Sequence, residues 1–296
     1  MKSSSPRLII GLTVITILGL LLFILSIYGL DSSISKDSES VLSLELIFLK
    51  STGTFGSESG QFDRPHGMDF FNNQLFVLDT GNNRIQIFSE DMNLISIIPI
   101  NTNEPQGISV TNEKIFVADT YDYKIKSFDH NGTFLNQFGV SWTRDLEADE
   151  NYVYVLEPQK SSIQVYDHFG KRIRELDAHE NVHYLNSNQK NLIASGPHPS
   201  VNIPPEILIF DKENGTLEQR FPTSKNVNGS TIYQKYIFVI DQDTIKIHDF
   251  NGNLFSEYNI ERESDEFLTQ IEINNNIVYV LDTHGHSIKS LEIIYE

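Results

Sequence analysis

Residues 55–88 read FGSESGQFDRPHGMDFFNNQLFVLDTGNNRIQIF, and a weakened copy of this stretch returns through the rest of the chain. At its centre lies a β-branched and aromatic run, 75–78, closed by Asp79, and a second alternating run, 84–88, follows after a turn. Two such runs separated by Gly and Asn read as paired antiparallel strands. Equivalent first runs occur at 115–118, 153–156, 192–194, 237–240 and 278–281, spaced 38 to 45 residues apart. Second runs follow at 124–128, 162–166, 206–210, 244–248 and 287–291. Turn signals such as Asn131-Gly132, Phe169-Gly170, Asn214-Gly215 and Asn251-Gly252 then introduce short outer runs near 134–138, 171–176, 216–221 and 254–258. Six units at this period predict six small sheets arranged radially, an all-β six-bladed propeller. One unit cannot bury its apolar faces without neighbours, so residues 44–296 are expected to form a single domain.

The sixth copy ends at Glu296 after its third strand. The missing outer strand is expected from the other end of the domain, where 44–49 and Thr54-Phe55 precede the first copy. Pairing that strand into the last blade closes the ring and hides both sheet edges.

The string Gly60-Gln61-Phe62-Asp63-Arg64-Pro65-His66-Gly67, with Leu78-Asp79-Thr80-Gly81-Asn82-Asn83-Arg84-Ile85-Gln86 after it, resembles the NHL repeat. The second copy keeps Pro105-Gln106-Gly107 and Ala118-Asp119-Thr120, whereas copies three to six lose Pro-x-Gly and retain only the echo Asn228-Gly229. The resemblance spans 44–296 and implies a six-bladed propeller. It implies no single activity, because enzymes, RNA binders, protein binders and sensors share the repeat.

Residues 8–30, LIIGLTVITILGLLLFILSIYGL, form a run of 23 without a charge. As a helix it spans roughly 34 Å, enough for a hydrocarbon core of about 30 Å. The run is longer than a signal-peptide core and ends without a small-residue cleavage site, so an uncleaved anchor is expected. Lys2 and Arg7 precede it, while Asp31, Asp37 and Glu39 outnumber Lys36 after it. That asymmetry predicts a short cytoplasmic N-terminus (1–7), an anchor (8–30), a polar tether (31–43) and an extracytoplasmic propeller, a single-pass arrangement in the cell membrane.

The chain carries 22 basic and 40 acidic residues, a formal charge of −18. Because 1–30 hold two of the bases and no acid, the remainder stands at −20. Such a surface repels polyphosphate, which excludes nucleic acid as a partner. There is no cysteine, which excludes disulfides, thiolate metal sites and cysteine nucleophiles. Ser-hydrolase elbows, HExxH and phosphate-binding loops are also absent from the sequence.

Aligning the copies places one polar residue just before each innermost strand: His66, Gln106, Arg144, His183, Asn228 and Thr269. These six are the candidate ligand-binding residues, converging at one mouth of the central channel. The acids Asp79, Asp119, Glu157, Asp241 and Asp282 are expected on that same face, as a rim selecting cationic or polar partners. Each has a structural role available, as a carboxylate accepting backbone N–H groups in the turn it opens. No cofactor is expected. Ca²⁺ on the acids, or Zn²⁺ on His66 and His183 with His284 and His286 nearby, are the metals considered. Arg144, between the two ring histidines, carries the wrong charge for a cation site. His179 lies four residues before His183 in a segment without helical pattern. His130, His168 and His248 are assigned to solvated outer turns. The sequons at Asn131 and Asn214 lie in outer turns open to a glycan, and a third begins at the mouth residue Asn228.

These features predict a membrane-anchored binding or scaffold module for a protein, peptide, glycan or small polar ligand at the cell surface. The alternative class is a metal-dependent hydrolase or lyase with its site on the propeller axis.

Overall fold

The computed structural model describes residues 44–178, 182–196, 205–223, 227–261 and 267–295. The chain enters at β1 (Leu44–Thr52) and then builds six sheets in order. Blade 1 holds β2 (Pro65–Phe71), β3 (Gln74–Asp79), β4 (Arg84–Ser89) and β5 (Leu94–Pro99). Blade 2 holds β6 (Pro105–Val110), β7 (Ile115–Asp119), β8 (Lys124–Phe128) and β9 (Phe134–Gly139). Blade 3 holds β10 (Leu146–Ala148), β11 (Tyr152–Glu157), β12 (Ser162–Asp167) and β13 (Arg172–Asp177). Blade 4 holds β14 (Tyr184–Ser187), β15 (Asn191–Ser195), β16 (Glu206–Asp211) and β17 (Leu217–Pro222). Blade 5 holds β18 (Val227–Tyr233), β19 (Tyr236–Asp241), β20 (Thr244–Asp249) and β21 (Leu254–Asn259). Blade 6 holds β22 (Leu268–Asn274), β23 (Ile277–Asp282) and β24 (Ser287–Tyr295), with β1 as its fourth strand.

All pairings are antiparallel meanders, and the innermost strands β2, β6, β10, β14, β18 and β22 touch in sequence around the axis, β22 returning to β2. The expected closure is therefore present: β1 pairs with β24 from Leu44↔Tyr295 to Thr52↔Ile288. It differs in detail from the sequence reading. The strand runs on to Thr52 through a bulge between Phe48 and Lys50, and Phe55 makes only an isolated bridge to Phe62.

The second strand of each blade is buried on both faces because it is sandwiched between neighbouring blades. Leu75, Val77, Leu78, Ile115, Val117, Val153, Val155, Leu192, Ile237 and Val280 are all fully buried. This explains why these runs are continuously apolar and were the clearest signal in the sequence. The outer turns use one device repeatedly. The carboxylate of Asp129 accepts the N–H groups of Asn131 and Thr133, Asp167 those of Phe169 and Lys171, and Asp249 those of Asn251 and Asn253. The glycine that follows each, with φ of 85°, 89° and 83° at Gly132, Gly170 and Gly252, occupies the left-handed region the turn demands.

Residues 1–43, which carry the expected membrane span and tether, lie outside the described residues, as does His179. Among the described residues no helix is long and apolar enough to cross a membrane.

Candidate functional site

The inner strands converge on the axis so tightly that backbone meets backbone. A Cβ on Gly67 would lie 2.9 Å from the Gln106 carbonyl oxygen, one on Gly107 2.8 Å from the Asp145 Cα, and one on Gly229 2.8 Å from the Thr269 carbonyl oxygen. This is the physical content of Pro-x-Gly: each inner strand abuts the next blade. Blades 3, 4 and 6 place Asp145, Tyr184 and Gln270 at the matching position.

Every inner strand is also the edge of its sheet, so its outward N–H groups need partners. Side chains of the preceding blade supply them. Asp69 accepts from Val110 N at 2.5 Å, Ser109 from Ala148 N at 3.0 Å, Asp145 from Leu185 N at 2.8 Å and Gln270 from Met68 N at 2.6 Å. The axis is polar because the ring closes on unpaired edges.

Three residues beyond the predicted ring lies a second, entirely polar one: Asp69, Ser109, Glu147, Asn186, Thr231 and Glu272. Asn186 donates its amide to Glu272 at 2.6 Å and accepts from Thr231 at 2.9 Å, and Ser187 donates to Glu147 at 3.1 Å. Burial raises the carboxyl pKa of Asp69 to about 6 and that of Asp145 to about 7. Burial, then repulsion from neighbouring acids, pushes Glu147 and Glu272 well above the ordinary range. The sequence reading did not find this ring. Its signal was available as six polar residues inside strands that should alternate.

At the mouth, His66, Gln106 and Arg144 line one shallow depression of about 10 Å³ together with Asp145, Tyr184 and Gln270. Arg144 Nε donates to Gln106 Oε1 at 3.1 Å, and its guanidinium lies 5.9 Å from the centre of the Trp142 ring. Burial, reinforced by the Arg144 charge, lowers both His66 and His183 to a pKa of about 4, so both rings are neutral at pH 7. His183 is drawn into the site electrostatically, and its ring stands 6.5 Å from that of Tyr184. Two of the six predicted residues fall elsewhere. Thr269 is buried with its hydroxyl 2.9 Å from that of Thr283, which in turn donates to the Pro65 carbonyl at 2.8 Å. Asn228 is 8% exposed and does not line the depression, so its sequon is buried. Asn131 and Asn214 are exposed in their turns.

The acids do not form a selective rim. Asp79 Oδ1 accepts from Asp63 N, Asp119 Oδ1 from Asn103 N, Glu157 Oε1 from Ser141 N and Asp282 Oδ1 from Phe267 N, at 2.7–2.9 Å. Each pins the loop entering its own blade. Asp79 also pairs with Arg84 at 2.7 Å, Asp119 with Lys126 and Asp241 with Lys246 at 2.5 Å, and Glu157 with Lys160. Four of the five charges are thereby paired within the fold, whereas Asp282 has no basic partner among the described residues and its Oδ2 is buried without a hydrogen bond.

The remaining histidines also differ from expectation. The ring nitrogens of His130 and His168 bond the carbonyls of Thr111 and Asp149, and the rings pack on Phe71 and Phe116. His248 is 8% exposed and bonds the Gly252 carbonyl. These are clasps between turns rather than solvated side chains. His286 reaches the margin of the mouth but accepts from Arg64 N at 3.0 Å, and His284 stacks on Phe267. With a guanidinium between them, His66 and His183 do not fit a cation. Among the described residues no group of three or more His, Asp or Glu is arranged to hold a metal ion. A larger open groove of about 380 Å³ lies on the outer wall, lined by Phe48, Tyr258, Asn259, Ile260 and Glu261. Among the described residues it gathers no set of convergent donors, so the mouth is the better candidate.

Architecture and site define a six-bladed β-propeller with a polar, partly cationic mouth. The family model for the NHL repeat matches residues 62–88, the first copy. There Arg84 gathers Asp79 and the carbonyls of Ser57, Glu58 and Gln61, and Gln86 donates to the Gln61 carbonyl and accepts from Gly60 N, tying the entry loop to its blade. A comparison with curated proteins finds no match. Among solved structures, the computationally designed Ika8 protein is similar at 14% identity and a TM-score of 0.52, over 77% of this chain and 70% of that one. Kuenenia stuttgartiensis hydrazine synthase is similar at 13% identity and a TM-score of 0.56, over 77% and 79%. At these identities the likeness is one of fold.

Proposed function

We propose that this protein is a membrane-anchored extracytoplasmic binding module that presents the mouth face of its propeller to a partner protein or peptide. The observation that carries the reading is the set of polar side chains gathered at a depression of about 10 Å³, room for about one water and far too small to enclose a metabolite. The half-buried Trp142 lies against Arg144, and the exposed Tyr121 and Tyr123 sit in the turn after β7, at the end of the blade where the inner strands begin, residue types enriched at protein interfaces. The uncharged segment 8–30 and the basic residues before it support the anchor and its orientation.

Because the chain has no cysteine, single-cysteine variants test both parts in one experiment. In intact cells an impermeant maleimide should label Tyr121→Cys at the mouth and Glu113→Cys at the opposite end of the inner strands, and spare Ser3→Cys until lysis. A maleimide crosslinker should yield a discrete adduct from position 121 and none from 113. Labelling of position 3 in intact cells refutes the orientation, and equal adducts from 113 and 121 refute the mouth as the binding face.

A further inference from the structure

Around the depression, most side-chain acceptors are used and most side-chain donors are not. Gln106 Oε1 accepts from Arg144 Nε, and Gln270 Oε1 accepts from Met68 N. Both Asp145 oxygens accept backbone N–H groups, from Leu146 at 3.0 Å and Leu185 at 2.8 Å. Among the described residues nothing accepts from the amide nitrogens of Gln106 and Gln270, the terminal nitrogens of Arg144 or the Tyr184 hydroxyl. The other charged groups nearby are spent: Arg64 pairs with Glu104 through both terminal nitrogens at 3.2 Å. One guanidinium, two amide NH₂ groups and a phenol thus line a space where donors outnumber acceptors, the neutral His66 ring supplying one free acceptor nitrogen. None of these donors is a buried, unpartnered atom, so each reaches solvent and is free to meet a ligand's acceptor in place of water.

From this we infer that the mouth is a carboxylate receptor, with Arg144 as the planar anchor and Gln106, Gln270 and Tyr184 as supporting donors. The inference rests on the mouth being the binding face. A guanidinium matches a carboxylate through two parallel bonds, and Gln106 together with the Trp142 ring holds the fork in orientation. A single positive charge above buried carboxyl groups suits a monoanion better than a phosphate dianion, which the acids beneath would repel more strongly. With room for about one water, the depression seats the tip of a carboxylate, at a chain end or on an acidic side chain, rather than a whole ligand.

The lone tryptophan, Trp142, lies against the anchor and reports occupancy by fluorescence. The full-length solubilised chain is titrated with acetyl-triglycine bearing a free carboxylate, with its C-terminal amide, and with acetate. The His66 and His183 ring signals are followed in parallel by NMR. Saturable Trp142 changes with the acid peptide, accompanied by an upward shift of both histidine titrations as Arg144 is neutralised, are the expected result. Arg144→Gln should weaken the acid peptide roughly ten- to a hundredfold, to the level of the amide, with Arg144→Lys in between. Acetate binding as well as the peptide would keep the carboxylate and assign a free small acid as its source. Equal response to acid and amide overturns the carboxylate assignment and leaves the mouth as a binding face. Silence from every probe in both readouts also overturns it, and the Tyr121→Cys adduct then decides separately whether the face binds anything.

Discussion

Removing residues 43–56, so that Leu42 joins Ser57, takes the fourth strand from blade 6. The loss can be sized from the packing. Leu44 and Leu46 are 1% and 5% exposed and sit in one cluster with Phe238, Ile240, Ile271, Val280 and Leu291. Truncating a buried leucine to alanine costs about 2–5 kcal/mol, and these two share a cavity, so Leu44→Ala with Leu46→Ala should cost about 4–8 kcal/mol rather than a strict sum. That is comparable to the whole stability of a typical domain, about 5–15 kcal/mol. The deletion adds the lost ladder from Leu44↔Tyr295 to Thr52↔Ile288 and exposes the edge of β24. Near-UV circular dichroism and calorimetry on the full-length background should show no cooperative transition for the deletion and a sharply lowered one for the double variant. Ile47→Ala, at a residue 50% exposed, should shift stability by less than about 0.5 kcal/mol. A deletion variant that melts cooperatively at the wild-type temperature would falsify ring closure by β1.

Two further outcomes follow from the axis. Gly107→Ala puts a methyl 2.8 Å from the Asp145 Cα and should cost about 1–3 kcal/mol, lowering the melting temperature by roughly 2–12 °C, whereas Gly139→Ala, with nothing within 4 Å, should leave it in place. Glu272 has a folded pKa raised by burial and by Asp69, Glu147 and Asp145, so its contribution to stability is present at low pH and is lost as pH rises through the folded value. Glu272→Gln keeps an oxygen for Asn186 and should therefore match the wild type near pH 4 and exceed it increasingly at alkaline pH; a stability difference independent of pH would refute the buried-carboxyl reading.

The blades were legible because their second strands are buried on both faces and so read as unbroken apolar runs at a fixed period. The closure was legible from a strand deficit in the last copy and a spare run before the first. The inner strands were not, since β10 and β14 are only three and four residues long and carry the polar residues of the axis. Of the predicted ring, His66, Gln106 and Arg144 line the mouth and His183 lies within reach of the Arg144 charge. Thr269 was misjudged because its partner, Thr283, comes from the loop of its own blade, a pairing that spacing does not reveal. The acids after the second strands were read as a rim because a strand end can be located in a sequence. The loop N–H that each accepts, 15 or 16 residues upstream, cannot.

A polar axis is therefore poor evidence of function by itself, because any ring of sheets with unpaired inner edges must put acceptors where those edges meet. Asp69, Ser109, Asp145 and Gln270 meet that demand, and a propeller with no ligand at all would need them. What the closure of the ring does not require is a surplus of donors. The edge N–H groups ask for oxygen, yet the mouth adds the terminal nitrogens of Arg144, two amide nitrogens and a phenol that donate to nothing among the described residues. Burial, with the Arg144 charge added, holds the two histidine neighbours uncharged, which leaves Arg144 as the localised positive charge at the mouth of a strongly acidic protein. Stability alone would favour an apolar or acceptor-bearing residue at position 144, so Arg144→Met should preserve or raise the melting temperature while abolishing carboxylate binding. If Arg144→Met instead destabilised the fold as much as a buried leucine truncation, the guanidinium would be a structural strut and the surplus of donors would need another cause.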